Sequence, residues 1–310
     1  MQPTISIGLP VFNGERYLAE AIESILAQSF EDFELIVSDN ASDDRTAEIS
    51  RGYAAGDRRV RVIRHDVNIG GAANFNSVFH AARGRYFKWV AHDDVLHPDN
   101  LARTLAVLEA TPDAVAVHCR VEVIGAAGER LGGEPFPLRR IGSARASERF
   151  ADLILTPHWN LWTYGLMRPS ALAKTDLLAP YTSSDRVLLA HLALLGRFIE
   201  LPEVLFFFRD QPERASKKIP DRLRRQRWLR AVGPLPAAEW YDPAKAGGIF
   251  FPQWNLWRRY FEVVRRADLP ANERVACQLA LVRWLLRNRN AIKLVRDVLL
   301  AAEHRLQAVS

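Results

Sequence analysis

An α/β fold, a three-layer sandwich around a mostly parallel sheet with a helical C-terminal region after it, is what this chain of 310 residues predicts. Three observations predict it. Over the first third, apolar runs of strand length alternate with segments whose apolar residues recur at helical spacing. Such alternation belongs to parallel sheets covered on both faces. The strand-like runs break off in polar turn residues. The last hundred residues or so keep the helical spacing and lose the strand pattern.

Ile5-Ser6-Ile7-Gly8-Leu9 is the first strand and ends at Pro10. Leu18, Ala21, Ile22, Ile25 and Leu26 then predict an amphipathic helix over 15–28. Phe33-Glu34-Leu35-Ile36-Val37 is the second strand, ending in Ser38-Asp39-Asn40. Ser42 and Asp43 stand where they can cap a helix over about 44–54. Val60-Arg61-Val62-Ile63 is the third strand. A helix over about 71–83 follows, then the apolar strand Tyr86-Phe87-Lys88-Trp89-Val90. Pro98 opens a helix to about Ala110, and a strand runs from Ala114 to Val123.

The middle third is more broken. Gly132-Gly133-Glu134-Pro135-Phe136-Pro137 is loop by composition, Phe150 to Leu155 is helical, and Thr156-Pro157-His158-Trp159-Asn160-Leu161-Trp162 is irregular. A helix from Arg186 to Leu195 and a β-rich run from Phe198 to Phe208 complete a first domain over 1–209, with 210–310 as a basic helical region.

A hydrophobic content of 48% and a charged content of 25% are those of a globular protein with ample length for a core. Met1-Gln2-Pro3-Thr4-Ile5-Ser6 has no basic n-region and no long apolar stretch, so it reads as the approach to strand one and not as a signal peptide. No run approaches the ~18 apolar residues of a membrane span. Cys119 and Cys277 lie far apart in apolar surroundings. Two buried thiols are expected, without a disulfide framework or a zinc site. This pattern points to the cytoplasm.

Ligands of open α/β sheets bind beyond the carboxyl ends of the strands. Three polar clusters are expected there: the turn Pro10-Val11-Phe12-Asn13-Gly14-Glu15 with its backbone donors, Ser38-Asp39-Asn40, and Ala91-His92-Asp93-Asp94. Two adjacent carboxylates after an apolar strand are costly unless a cation meets them. A dinucleotide fold would need G-x-G-x-x-G after strand one. Here the spacing of Gly8 and Gly14 is wrong, Pro10 blocks the tight turn, and no Walker lysine motif exists. A hard cation with oxygen ligands is the remaining simple way to neutralise phosphates.

The chain resembles family-2 glycosyltransferases of the GT-A fold, which are inverting enzymes. The resemblance is carried by Ser6-Ile7-Gly8-Leu9-Pro10-Val11-Phe12-Asn13-Gly14-Glu15, Glu34-Leu35-Ile36-Val37-Ser38-Asp39-Asn40-Ala41-Ser42-Asp43, Asn68-Ile69-Gly70-Gly71-Ala72-Ala73-Asn74, Ala82-Arg83-Gly84-Arg85-Tyr86 and Ala91-His92-Asp93-Asp94. It continues more weakly through Tyr164-Gly165-Leu166 and Ser183-Ser184-Asp185-Arg186.

The resemblance implies that Asp39 hydrogen-bonds the nucleobase of a nucleotide diphosphate-sugar donor, with Pro10, Val11, Asn13 and Glu15 lining the same slot. It implies that Asp93 and Asp94 bind the ribose and a Mg²⁺ or Mn²⁺ that bridges the diphosphate. The family pattern has a further Asp where this chain has Ala91, so which of the pair takes metal and which takes ribose stays open. Asp185 matches the base that takes the proton of an acceptor hydroxyl. The activity implied is transfer of a hexosyl or deoxyhexosyl unit to a glycan or glycolipid, in cell-surface glycan synthesis at the inner membrane face. A nucleotidyltransferase and a silent nucleotide-sugar binder are the rival readings.

Other polar residues have plainer roles on offer. Asp39 is also an ordinary strand-end turn residue, Asp185 also a helix cap, and Asp93-Asp94 also a solvated turn. Asn74 is read as structural, and Asn68 as loop-shaping or phosphate-reaching. His92 is expected to face away from the pair, and His118 and His191 to be packed. Trp159, Trp162 and Tyr164 serve an acceptor sugar or the core equally well.

Charge divides unevenly. Residues 1–208 carry net −5 and residues 209–310 net +11, with Trp228, Trp240, Trp254, Trp257 and Trp284 in the basic part. Val275, Leu279, Val282 and Leu286 fall on one helical face beside Arg283 and Arg287. Ile292, Val295, Leu299, Ala302 and Leu306 repeat the pattern. Such a region is a solvated helical face or a surface for an anionic membrane. Nucleic acid is excluded as a partner, since no recognition motif is present and the base-binding candidates lie in the acidic part.

Overall fold

The computed structural model describes residues 2–133, 138–211, 238–245, 251–287 and 289–309. Residues 134–137 of the expected loop and Trp228 lie outside them, as does the side chain of Leu306.

Strands β1 (Ile5–Val11), β2 (Phe33–Asp39), β3 (Val60–Arg64) and β4 (Tyr86–Trp89) are parallel neighbours in the order β3-β2-β1-β4. Helices α1 (Leu18–Leu26), α2 (Thr46–Gly56) and α3 (Gly71–Ala81) connect them. The order reverses between β1 and β4, which is where an open sheet leaves a crevice. Then come β5 (Val95–Leu96), α4 (Asn100–Ala110), β6 (Ala114–Ile124), β7 (Arg130–Gly133), α5 (Ala146–Leu155), β8 (Leu166–Met167), α6 (Pro169–Leu172), α7 (Ser184–Leu195) and β9 (Arg197–Arg209). They extend the sheet as β4-β8-β6-β9-β5, with β7 on β6. β6 and β9 run parallel to each other and in the direction of β4, while β5, β7 and β8 oppose them. The mostly parallel expectation therefore holds in direction, for six of nine strands.

Several elements depart from the sequence reading. β5 and β8 have two residues each, too few for periodicity to reveal. β1 continues through Pro10 to Val11. β4 pairs with β1 only as far as Gly8, so Pro10 stands where β2 alone lies beside it. Gly132 and Gly133 belong to the exposed strand β7 and not to a loop, because pairing with β6 supplies their hydrogen bonds. The caps proposed for α2 are corrected as well. Asp44 Oδ1, not Ser42 or Asp43, accepts the N–H of Thr46 at 2.9 Å.

Alternation fixes the layers. Ile5, Ile7, Leu9 and Val11 of β1 pack with Leu18, Ile22 and Ile25 of α1 and Leu101 and Leu108 of α4 on one face. Phe87 and Trp89 of β4 pack with Ala72 and Val78 of α3 and Leu188, Leu189 and Leu192 of α7 on the other. Cys119 and Cys277 are buried free thiols.

A further layer lies outside this sandwich. In α9 (Pro252–Arg266) and α10 (Ala271–Leu286), Leu256, Tyr260, Cys277, Leu281 and Trp284 pack on Phe150 and Ile154 of α5 and Val187 and Ala190 of α7. α11 (Asn290–Val309) lies against α9 and α10. The short α8 (Ala238–Tyr241) sits on the turn before α3. Gly70 there holds φ +88°, and a Cβ would stand 2.6 Å from the carbonyl oxygen of Tyr241. The Tyr241 hydroxyl in turn accepts the N–H of Ser183, just before α7, at 3.3 Å.

Candidate functional site

The six co-directional strands bring Val11, Asp39, Ile124 and Arg209 to one edge of the sheet, together with the turn that follows β4. The turns after β1 and β2 form one hydrogen-bonded unit. The backbone N–H groups of Asn13, Gly14 and Glu15 donate to Ser42 Oγ, Thr46 Oγ1 and Asp44 Oδ2 at 2.9, 2.9 and 3.0 Å. Asn13 Oδ1 and Glu15 Oε2 accept the N–H groups of Asp43 and Arg45 at 3.1 and 3.0 Å. The backbone donors expected to face a ligand are thus spent on the polar side chains of the next turn. Pro10 and Val11 are buried, Asn13 and Glu15 are exposed, and so is the ring of Phe12.

Asp39 is fully buried at the end of β2. Its Oδ1 accepts the N–H of Ser42 at 2.9 Å, and its Oδ2 accepts Arg64 Nη1 at 2.6 Å. Arg64, at the end of β3, is a site residue that sequence reasoning passed over. Asn74 is structural as expected. Its Nδ2 donates to the carbonyls of Val11 and Ser38 at 3.3 and 3.0 Å. Asn68 shapes the loop: its Oδ1 accepts Asn40 Nδ2 and the N–H of Gly70, each at 2.9 Å.

Asp93 and Asp94 are buried, so the solvated-turn reading fails. His92 packs over Gly14, where a Cβ would stand 2.7 Å from its ring. The turn after β4 therefore touches the turn after β1 across the crevice.

Neutral donors of the protein itself meet the two carboxylates, one backbone N–H and one side-chain amide. The backbone N–H of Arg209 donates to Asp94 Oδ1 at 2.9 Å, and its Nε donates to the Asp93 carbonyl at 2.8 Å. Its Nη2 donates to Glu20 Oε2 at 2.6 Å, and its guanidinium lies 4.6 Å from the ring centre of Tyr17. Gln211 Nε2 donates to Asp93 Oδ2 at 3.0 Å. Lys88, on β4, is fully buried and donates to the carbonyl of Tyr164. Burial pushes its amine down to about 8, against the opposing pull of Cys119 and Asp94.

Asp185 lies half-buried in the first turn of α7. Its Oδ2 accepts Asn160 Nδ2 at 2.7 Å, and its Oδ1 accepts the N–H of Arg186 at 2.9 Å. The helix cap itself is Ser183, in a left-handed conformation with no side-chain cap bond. Asn160 also holds a left-handed conformation, at φ +60°. Its neighbour Trp159 is 40% exposed and lies 5.5 Å, centroid to centroid, from Phe208, the residue before Arg209. A chain of contacts thus runs from Asp185 through Asn160, Trp159 and Phe208 to the Asp93-Asp94 turn. Trp162 is buried against His118 and Phe198, and the partly buried Tyr164 stacks on Phe206, so Trp159 is the most exposed of the three aromatics. His118 and His191 are packed, and burial lowers the pKa of both.

The model of the family described as Glycosyl transferase family 2 matches residues 6–164, more than half of the chain. This chain belongs to glycosyl transferase family 2. As a family-2 chain it is 40% identical over 124 residues to a putative glycosyltransferase, EpsE, of Bacillus subtilis (strain 168), covering 40% of this chain and 42% of that protein. It is 35% identical over 123 residues to an uncharacterized glycosyltransferase of Rickettsia prowazekii (strain Madrid E), covering 39% and 37%. The matches thus span less than half the length of these curated relatives.

Among solved structures, S. aureus TarS in complex with UDP aligns with a TM-score of 0.58 at 17% identity, covering 91% of this chain and 70% of that one. The mannosyltransferase PcManGT of Pyrobaculum calidifontis, in complex with GDP-Man and Mn²⁺, aligns with a TM-score of 0.53 at 17% identity, covering 97% and 88%. These likenesses show that the family-2 chain has the GT-A-type fold, followed by a helical region.

Adjacent carboxylates are hard oxygen donors of the kind Mg²⁺ and Mn²⁺ take. Among the described residues no group of three or more His, Cys, Asp or Glu is assembled for a metal. Asp93 and Asp94 bring two such donors to one turn of this family-2 chain.

Proposed function

We propose that this protein is an inverting, metal-dependent glycosyltransferase that moves a hexosyl or deoxyhexosyl unit from a nucleotide diphosphate-sugar to a hydroxyl of a glycan or glycolipid. It would act in cell-surface glycan synthesis, from the cytoplasmic side of the membrane. The observation that carries the reading is the contact chain from Asp185 to the Asp93-Asp94 turn, at the strand edge that also holds Asp39. Family membership favours sugar transfer over nucleotidyl transfer.

In this reading the base lies by Asp39, with Arg64 as its polar neighbour and the exposed ring of Phe12 as a stacking face. Pro10, Val11, Asn13 and Glu15 shape the slot. Asp93 and Asp94 hold the ribose and a Mg²⁺ or Mn²⁺. When bound, that ion supplies positive charge for the departing nucleoside diphosphate. Asp185 takes the proton of the acceptor hydroxyl as its oxygen bonds to the anomeric carbon, from the face opposite the diphosphate. Asn160 orients that carboxylate, and Trp159 offers an aromatic face to the acceptor sugar.

A thermal-shift screen of nucleoside diphosphates with and without Mn²⁺ tests the donor half. One nucleotide is expected to raise the melting temperature, with the rise reduced by a chelator. A rise indifferent to the chelator would remove the metal role of Asp93 and Asp94.

A further inference from the structure

α10 has two apolar faces, and the protein uses only one. Cys277, Ala280, Leu281 and Trp284 are buried against α5 and α7. Val275, Leu279, Val282 and Leu286, at the same helical spacing, are 54, 55, 57 and 83% exposed. Across the turn, Ile292, Val295, Val298 and Leu299 of α11 are exposed as well. The last three, with Trp254, Trp257 and Leu285, line an open apolar groove of about 460 Å³ between α9, α10 and α11. A solvated helical face carries polar residues at such positions.

The charge along 274–296 has one sign. Six Lys or Arg and no Asp or Glu occur between Glu273 and Asp297. Both flanking acids face the protein. Glu273 pairs with Arg145 and accepts the N–H of Ser147, and Asp297 accepts the N–H of Gln253. Arg274 is spent on the carbonyls at the end of α9, and Arg296 is buried beside Asp297. Arg283, Arg287 and Arg289 are exposed beside the apolar stripe. A second copy of this chain docked on the same patch by two-fold symmetry would set these arginines against their equals.

We propose that the outer face of α10 and α11 docks on an anionic lipid surface, with the apolar stripe entering the acyl boundary and Arg283, Arg287 and Arg289 at the headgroups. Among the described residues no helix is long and apolar enough to cross a membrane, so the helices would lie on the surface and not span it. The inference does not depend on the transfer reaction.

Flotation of the full chain with vesicles tests it, using phosphatidylcholine alone or with about a third phosphatidylglycerol, at low and high salt. The expected result is binding to the anionic vesicles only, weakened by salt. The R283Q/R287Q/R289Q variant should lower partitioning at least tenfold, on the scale of basic residues near charged lipid. The L279S/V282S/L286S variant should lower it comparably, with the melting temperature of both held near that of the wild type. Equal binding to neutral vesicles, or binding indifferent to either variant, overturns the proposal. No vesicle binding overturns it too, and concentration-dependent dimers abolished by L279S/V282S/L286S would assign the face to a second copy.

Discussion

Asp94 and Asp185 stand at the two ends of one contact chain, in contrasting surroundings. Asp94 is fully buried, held by the Arg209 backbone, with the Arg209 guanidinium on the neighbouring carbonyl and Lys88 in the strand before it. Asp185 is half-buried and held by one asparagine and one backbone N–H at the start of a helix. A carboxylate sealed among fixed donors keeps its position, and losing its partners costs folding energy. A carboxylate at a half-open helix start can meet a substrate hydroxyl, and losing it costs rate. On the proposed reading, the Asp94 end is held as scaffold and the Asp185 end is left open for chemistry.

The largest effect expected from this contrast is at the open end. Asp185→Asn should lower turnover by about 10²–10⁴-fold, with nucleoside diphosphate affinity by calorimetry within twofold of wild type. Transfer that survives the change would move the base elsewhere and collapse the contrast. The sealed end should answer in stability. Arg209→Met takes the guanidinium from the Glu20 carboxylate and from the carbonyl of Asp93. By the cost of leaving a buried carbonyl without its donor it should lose about 1–3 kcal/mol in urea unfolding. A loss under ~1 kcal/mol would show that the guanidinium is not what holds the pair.

Smaller changes sharpen the difference. Asn160→Ala should lower kcat by about tenfold, the scale of a misplaced catalytic group, and leave stability nearly unchanged. A change confined to the acceptor KM would reassign Asn160 to substrate binding. The gentlest test is a slope. The Lys88 amine sits at about 8 in the fold and near 10.5 in the unfolded chain. Between those values the unfolded chain binds the extra proton, so stability rises with pH by at most about 1.4 kcal/mol per unit. Lys88→Met should lack that rise, and parallel pH–stability curves for the two proteins would place Lys88 outside the sealed cluster.

The sequence reading reached what local pattern encodes. The parallel strands β1 to β4 and their helices carry their own periodicity and turns, and these alone place Asp39, Asp93 and Asp94 at one edge. It did not reach what distant segments bring. Arg64 and Arg209 end strands as isolated arginines, and only the fold reveals that their guanidinium groups meet Asp39 and Glu20. A cation at the same strand edge as an acidic pair is the signal that would have singled out Arg209. The spent donors of 13–15 depend on side chains some thirty residues on. For α10 the spacing gave a helix with an apolar face, but two such faces exist, and tertiary packing chose the other one.

Tyr241 has a consequence for how the two ends stay in register. Its carbonyl closes on Gly70, two residues beyond the Asn68 side chain tied to Asn40, while its hydroxyl receives the chain just ahead of Asp185. The spacing between the Asn40 turn and the start of α7, which the proposed reading assigns to the base slot and the proton acceptor, is therefore clamped by a four-residue helix that lies past β9. A chain cut after β9 would keep Asp39, Asp93, Asp94 and Asp185 and lose that clamp, so on the proposed reading it would carry both half-sites and still fail to turn over.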